Sequence, residues 1–150
     1  MSTETNKAIA KQVLEAAFNQ GDLSVIDQYA AADGVDHQEP PGTDFRQHLK
    51  EVVTRMRTGM PDLHFEVHDI LAEGDIVAFR STMTGTHTGV FDTGMGRVLP
   101  PTGHKISVPH MHFLRFVDGK NTDLWHVWDI ASMMRQMGAM PQPQGQPQPS

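Results

Sequence analysis

The chain has 150 residues and a mass of 16.6 kDa, a length that suits one domain with a single core. No apolar run approaches the ~20 residues of a membrane span, so a membrane function is not expected. Twelve Lys and Arg against 18 Asp and Glu give a formal charge of -6, and the sequence holds no dense basic patch that would override it. This balance argues against nucleic acid as a partner.

Histidine and carboxylate side chains have to carry any acid, base or metal chemistry. The sequence contains nine His and no Cys, which removes disulfides, thiolate nucleophiles and cysteine-based metal sites. The first residues form neither a basic leader nor an apolar segment of the signal-peptide type, and we therefore expect a cytoplasmic protein.

Three helices are predicted in the first 60 residues. Apolar residues recur at helical spacing from Thr3 to a stop at Gly21, then over residues 23–29, and again over residues 45–56 before Gly59 and Pro61. Residues 32–42 are predicted to be irregular, because the Pro-Pro-Gly at their end cannot continue a helix.

The second half of the chain alternates as strands do. A hairpin is predicted over residues 63–84, followed by a loop over 85–103, a long strand over 104–117, a turn at Asp118-Gly119 and a strand over 122–129. A short helix over 130–137 ends the domain, which we assign to residues 1–140; the Pro- and Gln-rich residues 141–150 are expected to form a disordered tail. The order predicts an α+β domain whose helices cover a curved antiparallel sheet and enclose a small-molecule pocket.

Inward-facing histidines are predicted on the last two strands. His110 and His112 share the apolar face of the long strand. If the hairpin closes at Asp118-Gly119 without a bulge, Leu124, His126 and Trp128 share that face as well. Three imidazoles then meet in one pocket.

A plainer interpretation remains open for each of these residues. A single inward His is usually a core residue hydrogen bonded to a carbonyl or to water. Pro109 indicates a bulge or a sheet edge that would reverse the orientation of His110. Trp125 is expected on the face opposite Trp128. His48, His64 and His68 are interpreted as exposed.

Ordered short motifs over about residues 6–138 resemble the SnoaL-like polyketide cyclases, often labelled ester cyclases. The resemblance implies the cone-shaped nuclear-transport-factor-2-like fold, with a deep pocket between sheet and helices, and a homodimer or higher homo-oligomer. The motifs that carry it are Phe18-Asn19-Gln20-Gly21-Asp22, Pro61-Asp62-Leu63, Ala72-Glu73-Gly74-Asp75, Thr84-Gly85-Thr86-His87-Thr88-Gly89, Pro101-Thr102-Gly103, Arg115-Phe116-Val117-Asp118-Gly119-Lys120 and Arg135-Gln136-Met137-Gly138.

The resemblance also implies a reaction and a set of positions. Characterised cyclases of this kind close a ring by intramolecular aldol condensation, without metal or cofactor, using an acid–base Asp on the last strand. That Asp position falls on His126, a pocket His falls on His112, a neighbouring Gln falls on His110, and a pocket Asn falls on Asp36, or on His37 if the loop shifts by one residue. The central acid is thus replaced by an imidazole.

We therefore expect cofactor-free acid–base catalysis on a small, largely apolar carbonyl or ester compound. In this hypothesis His126 is the principal base or acid, His112 and His110 orient the substrate or stabilise an enolate oxygen, and Asp36 or Asp129 orients an imidazole. The favoured interpretation of Asp129 is a structural cap of the last helix. The residues expected to contact substrate are His37, Trp128, Leu114, Tyr29 and Phe18.

Two alternatives belong to other classes of function. His110, His112 and His126 together could supply the three nitrogen ligands of a catalytic zinc centre. A metal enzyme is therefore one alternative hypothesis, although it is less favoured than metal-free catalysis. A binding protein without catalysis is the other alternative, since this kind of cone often hosts ligand capture alone.

Overall fold

The computed structural model describes residues 2–140, so the predicted tail lies outside the described residues. A π-helical segment, Leu14–Asn19, continues the first helix. The elements in chain order are α1 Thr3–Val13, α2 Ser24–Tyr29, β1 Ala30–Asp36, α3 Phe45–Gly59, β2 His64–Glu73, β3 Ile76–Thr86, β4 Phe91–Asp92, β5 Val98–Leu99, β6 Lys105–Val117, β7 Lys120–Trp128 and α4 Ile130–Gln136.

Side-chain caps begin three of the four helices. The side-chain oxygens of Ser2, Asp44 and Asp129 accept hydrogen bonds from the backbone N–H groups of the first turns of α1, α3 and α4. Such caps satisfy N–H groups that have no partner within the helix. Asp129 is therefore a helix cap, as one of the two sequence interpretations expected.

A curved five-stranded sheet forms the second layer, in the order β1-β7-β6-β3-β2. All neighbouring pairs are antiparallel except β1 and β7, which are parallel. The prediction of irregular chain over residues 32–42 is wrong for its first part, because β1 extends to Asp36. Backbone pairing with β7 supplies the hydrogen bonds that a segment rich in Ala, Asp and Gly would not hold alone.

The hairpin between β6 and β7 contains a bulge that the sequence analysis did not expect. Asp118 and Gly119 both have positive φ, 49° and 76°, as a two-residue type I′ turn requires. Beyond the turn, Phe116 pairs with Asn121 but Arg115 pairs with Asp123, so Thr122 is an extra residue. The side-chain amide of Asn121 fixes this bulge by donating to the carbonyls of Arg115 and Asp123.

The bulge sets which residues of β7 face inward. A regular hairpin continued from the turn would place His112 opposite Trp125, whereas the bulged register places it opposite His126 and places His110 opposite Trp128. Pro109 causes no reversal, because the pairing of β6 with β3 runs through it without a shift. Leu124, His126 and Trp128 of β7 thus face inward as predicted. They do so because of the bulge, whereas the prediction assumed a hairpin without one.

The core lies between this inner face and the helices. Phe65, Phe79, Met83 and Val108 of the sheet pack there with Met133 of α4. The outer face of the sheet leaves several apolar side chains exposed, including Met111, Phe113 and Val127. Within residues 2–140, no helix combines the length and the apolar character needed to cross a membrane.

Candidate active site

A cavity of about 460 Å³ lies between the helices and the inner face of the sheet. This volume falls within the range of small-molecule sites, which are mostly apolar with a few polar groups. Its apolar wall includes Leu14, Phe18, Tyr29, Phe65, Phe79, Leu114 and Trp128. One group of polar side chains in the wall comes from β6, β7 and the end of β1.

Three histidines from β6 and β7 lie side by side in this wall. The ring centroids of His110 and His112 are 4.1 Å apart in a stacked arrangement, and the ring of Phe79 stacks on the other face of His112 at 4.4 Å. Nε2 of His110 lies 3.2 Å from Nδ1 of His126. The predicted meeting of three imidazoles is therefore present in the structure.

Asp36, at the end of β1, is the anion of this cluster. Its Oδ2 lies 3.2 Å from Nε2 of His126 and 3.3 Å from Nε2 of His48, and its Oδ1 accepts the backbone N–H of Gln38 at 3.0 Å. Gln38 in turn accepts the backbone N–H of His126 through its side-chain oxygen at 2.8 Å. The carboxylate is buried and held on both oxygens.

The surroundings keep the Asp36 carboxyl ionised and the imidazoles of His110 and His112 neutral. Burial alone would raise the pKa of Asp36, but the hydrogen bonds from His126, His48 and Gln38 hold it well below its usual value. Burial, with the nearby charge of His126, lowers the pKa of His110 to about 3, and burial together with the charges of His110 and His126 also lowers the pKa of His112 well below 6.5. At neutral pH the cluster therefore holds one carboxylate beside two neutral imidazoles.

His48 of α3 completes the cluster through its contacts with Asp36 and Glu39. The hydrogen bond to Asp36 raises the pKa of His48 above its ordinary 6.5, against burial, and the charge of Glu39 adds to the increase. Nε2 of His48 lies 3.2 Å from Oε1 of Glu39. His48 thus contacts two carboxylates and offsets part of their charge.

The structure brings together most of the candidate residues. His110, His112, His126, Asp36, Trp128, Leu114, Tyr29 and Phe18 all line the cavity. His37 is the exception, and its predicted contact with substrate is wrong in placement. Its ring stacks on Trp125 at 4.5 Å, and its Nε2 lies 3.0 Å from Asp123, away from the cavity.

A model of the SnoaL-like polyketide cyclases matches residues 8–137 of this sequence. The chain belongs to this family. A comparison with curated proteins finds no significant match. Solved structures share the fold of this SnoaL-like chain, and some of them have 32% sequence identity with it.

Three of these structures come from Streptomyces. AclR from Streptomyces galilaeus, proposed to be a hydroxylase, has 32% identity and a TM-score of 0.79 over 96% of this chain and 87% of its own. IdmH from Streptomyces antibioticus, proposed to be a polyketide cyclase, has 32% identity and a TM-score of 0.71 over 88% and 98%. TsrD from Streptomyces laurentii, at 23% identity and a TM-score of 0.81 over 93% and 99%, shares the fold.

The sequence analysis of this SnoaL-like chain missed part of the cluster. His48 is not exposed as predicted, since its side chain retains only 13% of its accessible surface. Its position three residues after buried Phe45 and four before cavity-lining Val52 is the helical spacing that could have revealed it. Gln38 and Glu39 lie two and three residues after Asp36, and no sequence pattern marked them as site residues.

Two groups of side chains in this SnoaL-like site have donor atoms close enough to surround one ion. The donor atoms of His110, His112 and His126 lie within 4.8 Å of one another, as do those of Asp36, Glu39 and His48. Neutral imidazoles suit zinc and similar transition metals, and the three-histidine set matches known catalytic zinc ligands.

Proposed function

We propose that this chain catalyses proton transfer, without a cofactor, on a small and largely apolar carbonyl or ester compound. The reaction we favour is an aldol-type ring closure. The observation that carries the proposal is the pair of Asp36 and His126 in the wall of an apolar cavity, where a buried carboxylate holds one ring nitrogen of an imidazole. Membership of the SnoaL-like polyketide cyclase family supports it.

The pair can supply a base of defined orientation. Because Asp36 is ionised, Nε2 of His126 donates its hydrogen to the carboxylate, and the basic lone pair of the ring is then on Nδ1. In this tautomer Nε2–H of His110 donates to that lone pair across 3.2 Å. A substrate carbon that approaches His126 displaces this hydrogen bond, and the N–H of His110 becomes free to bind the substrate oxygen.

The proton transfer then closes without any further reagent. Nδ1 of His126 takes a proton from the carbon beside a carbonyl, and the electrons of the C–H bond form an enolate whose oxygen accepts the N–H of His110. The enolate carbon attacks a second carbonyl of the same molecule, which forms the new carbon–carbon bond and an alkoxide. The protonated His126, stabilised by Asp36, returns its proton to the alkoxide.

The cavity wall supports a substrate that is mainly hydrocarbon or aromatic. Aromatic and aliphatic side chains cover most of the wall, and His110, His112, His126 and Asp36 form one connected polar group in it. A ring system packed against Phe18, Phe65 and Trp128 would direct a carbonyl toward the histidines. IdmH, at 32% identity, is proposed to be a polyketide cyclase, and this agrees with a substrate of that kind.

An exchange experiment in D₂O tests the proposal without knowledge of the natural substrate. Proton NMR would follow loss of the α-proton signals of 2-tetralone, an aromatic ketone, and of a panel of polyketide-like methyl esters. We expect exchange with wild type and a rate lower by about 10² to 10⁴ in His126→Ala. His64→Ala, a change of an exposed histidine on β2, is the matched control and should behave as wild type.

Binding measured on the same compounds separates catalysis from capture. Quenching of tryptophan fluorescence would report occupation of the cavity beside Trp128. If wild type and His126→Ala bind a compound equally and neither exchanges its protons, the chain is a binding protein and the catalytic proposal is wrong. Oxygen consumption with these compounds would instead point to a hydroxylase.

A further inference from the structure

We propose that His110, His112 and His126 form a site for one divalent transition-metal ion such as Zn²⁺, and that the bound ion blocks proton transfer in this cavity. The first half of this inference is independent of the proposed function. The second half rests on it, because it concerns regulation of the same groups.

The spacing of the ring nitrogens supports a shared ion. In a tetrahedral zinc site with bonds of 2.0–2.1 Å, two ligand nitrogens are about 3.3 Å apart. Nε2 of His110 and Nδ1 of His126 are already 3.2 Å apart. One ring nitrogen from each of His110, His112 and His126 lies within 4.8 Å of the other two, so a shared ion needs a closer approach of about 1.5 Å at most.

Asp36 supplies the outer contact that such sites use. Histidines that bind metals usually donate their other N–H to a carboxylate, which fixes the tautomer and makes the ring a stronger ligand. Nε2 of His126 contacts Asp36 in this way and leaves Nδ1 for the ion. The buried carboxylate also offsets the charge of a divalent cation.

His112 has polar atoms that the protein itself does not satisfy. Within residues 2–140 its ring makes no hydrogen bond, and Nδ1 of His112 and Nδ1 of His110 are both sealed from solvent without a partner. Because Nδ1 is sealed, His112 would bind an ion through Nε2, and no hydrogen bond of that nitrogen has to be displaced. The sealed Nδ1 atoms stay without a partner when the ion is bound.

Occupation by the ion and base catalysis exclude each other. The lone pair on Nδ1 of His126 is the one that takes the substrate proton in the proposed reaction. When that lone pair binds a metal ion it accepts no proton. His110 binds the ion through Nε2 only in the tautomer whose hydrogen is on Nδ1, so it no longer offers an Nε2–H to the substrate oxygen. We therefore expect the ion to act as an inhibitor.

Metal binding can be tested on the full chain after treatment with a chelator. Zn²⁺ would be titrated by calorimetry, and Co²⁺ by its visible absorption, whose intensity reports four-coordinate geometry. We expect one ion per chain in wild type and in the His64→Ala control. Binding should be lost in His112→Ala and weakened about 10- to 100-fold in Asp36→Asn.

Two further variants test whether the ion binds at the three histidines. Glu39→Gln removes a donor from the second cluster only and should bind as wild type. Unchanged binding in folded His112→Ala, or loss of binding in Glu39→Gln, would overturn the three-histidine site. If circular dichroism shows that His112→Ala is unfolded, His112→Gln takes its place under the same criteria.

The α-proton exchange assay tests inhibition separately. One equivalent of Zn²⁺ should abolish exchange, and a chelator should restore it. Exchange that continues at full occupancy, or that requires the ion, would overturn the inhibitory role. If wild type binds Zn²⁺ as expected but never exchanges protons with any compound, the proposed function fails while the metal site stands.

Discussion

Replacing His112 with Leu should make the fold less sensitive to acid. The ring of His112 is packed between Phe79 and His110, with centroid distances of 4.4 and 4.1 Å. Burial, and the charges of His110 and His126, lower its pKa well below 6.5. Below pH 6.5, His112 therefore binds a proton in the unfolded chain but remains neutral in the folded chain.

The size of the effect follows from this difference. Above pH 6.5 the ring is neutral in both the folded and the unfolded state, so His112 does not reduce the free energy of unfolding there. As the pH falls below 6.5, the free energy of unfolding decreases by up to about 1.4 kcal/mol per pH unit. At pH 5.0, His112 should lower the free energy of unfolding by up to about 2 kcal/mol. His112→Leu should remove this loss and, because it also removes an unpartnered polar atom, should leave stability at pH 7.5 equal or higher.

Other titrating groups have little influence on this comparison. His110, with a pKa of about 3, also lowers the free energy of unfolding as the pH falls, and it does so in both wild type and His112→Leu. The pKa of Asp36 is lowered, so its contribution is lost only as the pH falls below about 3.8. The pKa of His48 is raised, so its contribution is complete below pH 6.5 and is lost as the pH rises. The window from pH 6.5 to 5.0 therefore isolates the buried histidines.

Urea unfolding followed by tryptophan fluorescence at several pH values between 7.5 and 5.0 measures this difference. A chelator in every sample prevents metal binding, and His64→Leu serves as the control at an exposed histidine. The two variants should differ by up to about 2 kcal/mol at pH 5.0. Equal acid slopes in wild type and His112→Leu would show that this ring is protonated in the folded state and would refute the reasoning.

Further predictions concern the charge of the cluster, the bulge and assembly. Asp36→Asn should slow α-proton exchange by about 10² to 10⁴, and adding His126→Asp to it should recover part of the rate by returning a carboxylate; no recovery would contradict this. Asn121→Ala should lower the free energy of unfolding in urea by about 1–3 kcal/mol, since it removes both bonds that hold the bulge. Deletion of Thr122 should make the hairpin regular and leave His126 opposite His112, because it removes only the extra residue; ligand binding, measured by tryptophan quenching, should persist, and its loss would contradict this register. The homo-oligomer expected from the family resemblance stays a prediction, and light scattering that reports a monomer mass would contradict it.

Patterns local to one strand were predictable, whereas pairing between strands was not. The alternation along β6 correctly predicts that His110 and His112 face the core, because side chains of a strand point alternately to its two faces. The position of His126 depends on Thr122 being an extra residue, and neither Asn121 nor Thr122 carries a sequence signature of a bulge. The inward face of β7 was predicted through a register that the protein does not use.

The same distinction explains the errors around Asp36. The segment Ala30–Asp36 has weak intrinsic preference for a strand, and it forms one because β7 offers an edge for parallel pairing. Once β1 is a strand, Asp36 points into the cavity, whereas the ring of His37 stacks on Trp125 outside it. The alternative of Asp36 or His37 for one pocket position is thereby decided by tertiary contacts. For His48 the helical spacing was present in the sequence and was overlooked.

In the proposed reaction, two differences in residue type from the characterised cyclases complement each other. In the resemblance to the characterised cyclases, the acid–base Asp falls on His126 and a pocket Asn falls on Asp36, so the negative charge is relocated within the cluster. The two side chains touch, with 3.2 Å between Nε2 and Oδ2, and the site therefore retains one buried carboxylate next to the group that moves the proton. A carboxylate base becomes neutral when it takes a proton, whereas His126 becomes a cation. An anion at Asp36 stabilises that cation, so the two substitutions are complementary and an imidazole can act as the base in a cavity that disfavours an isolated charge.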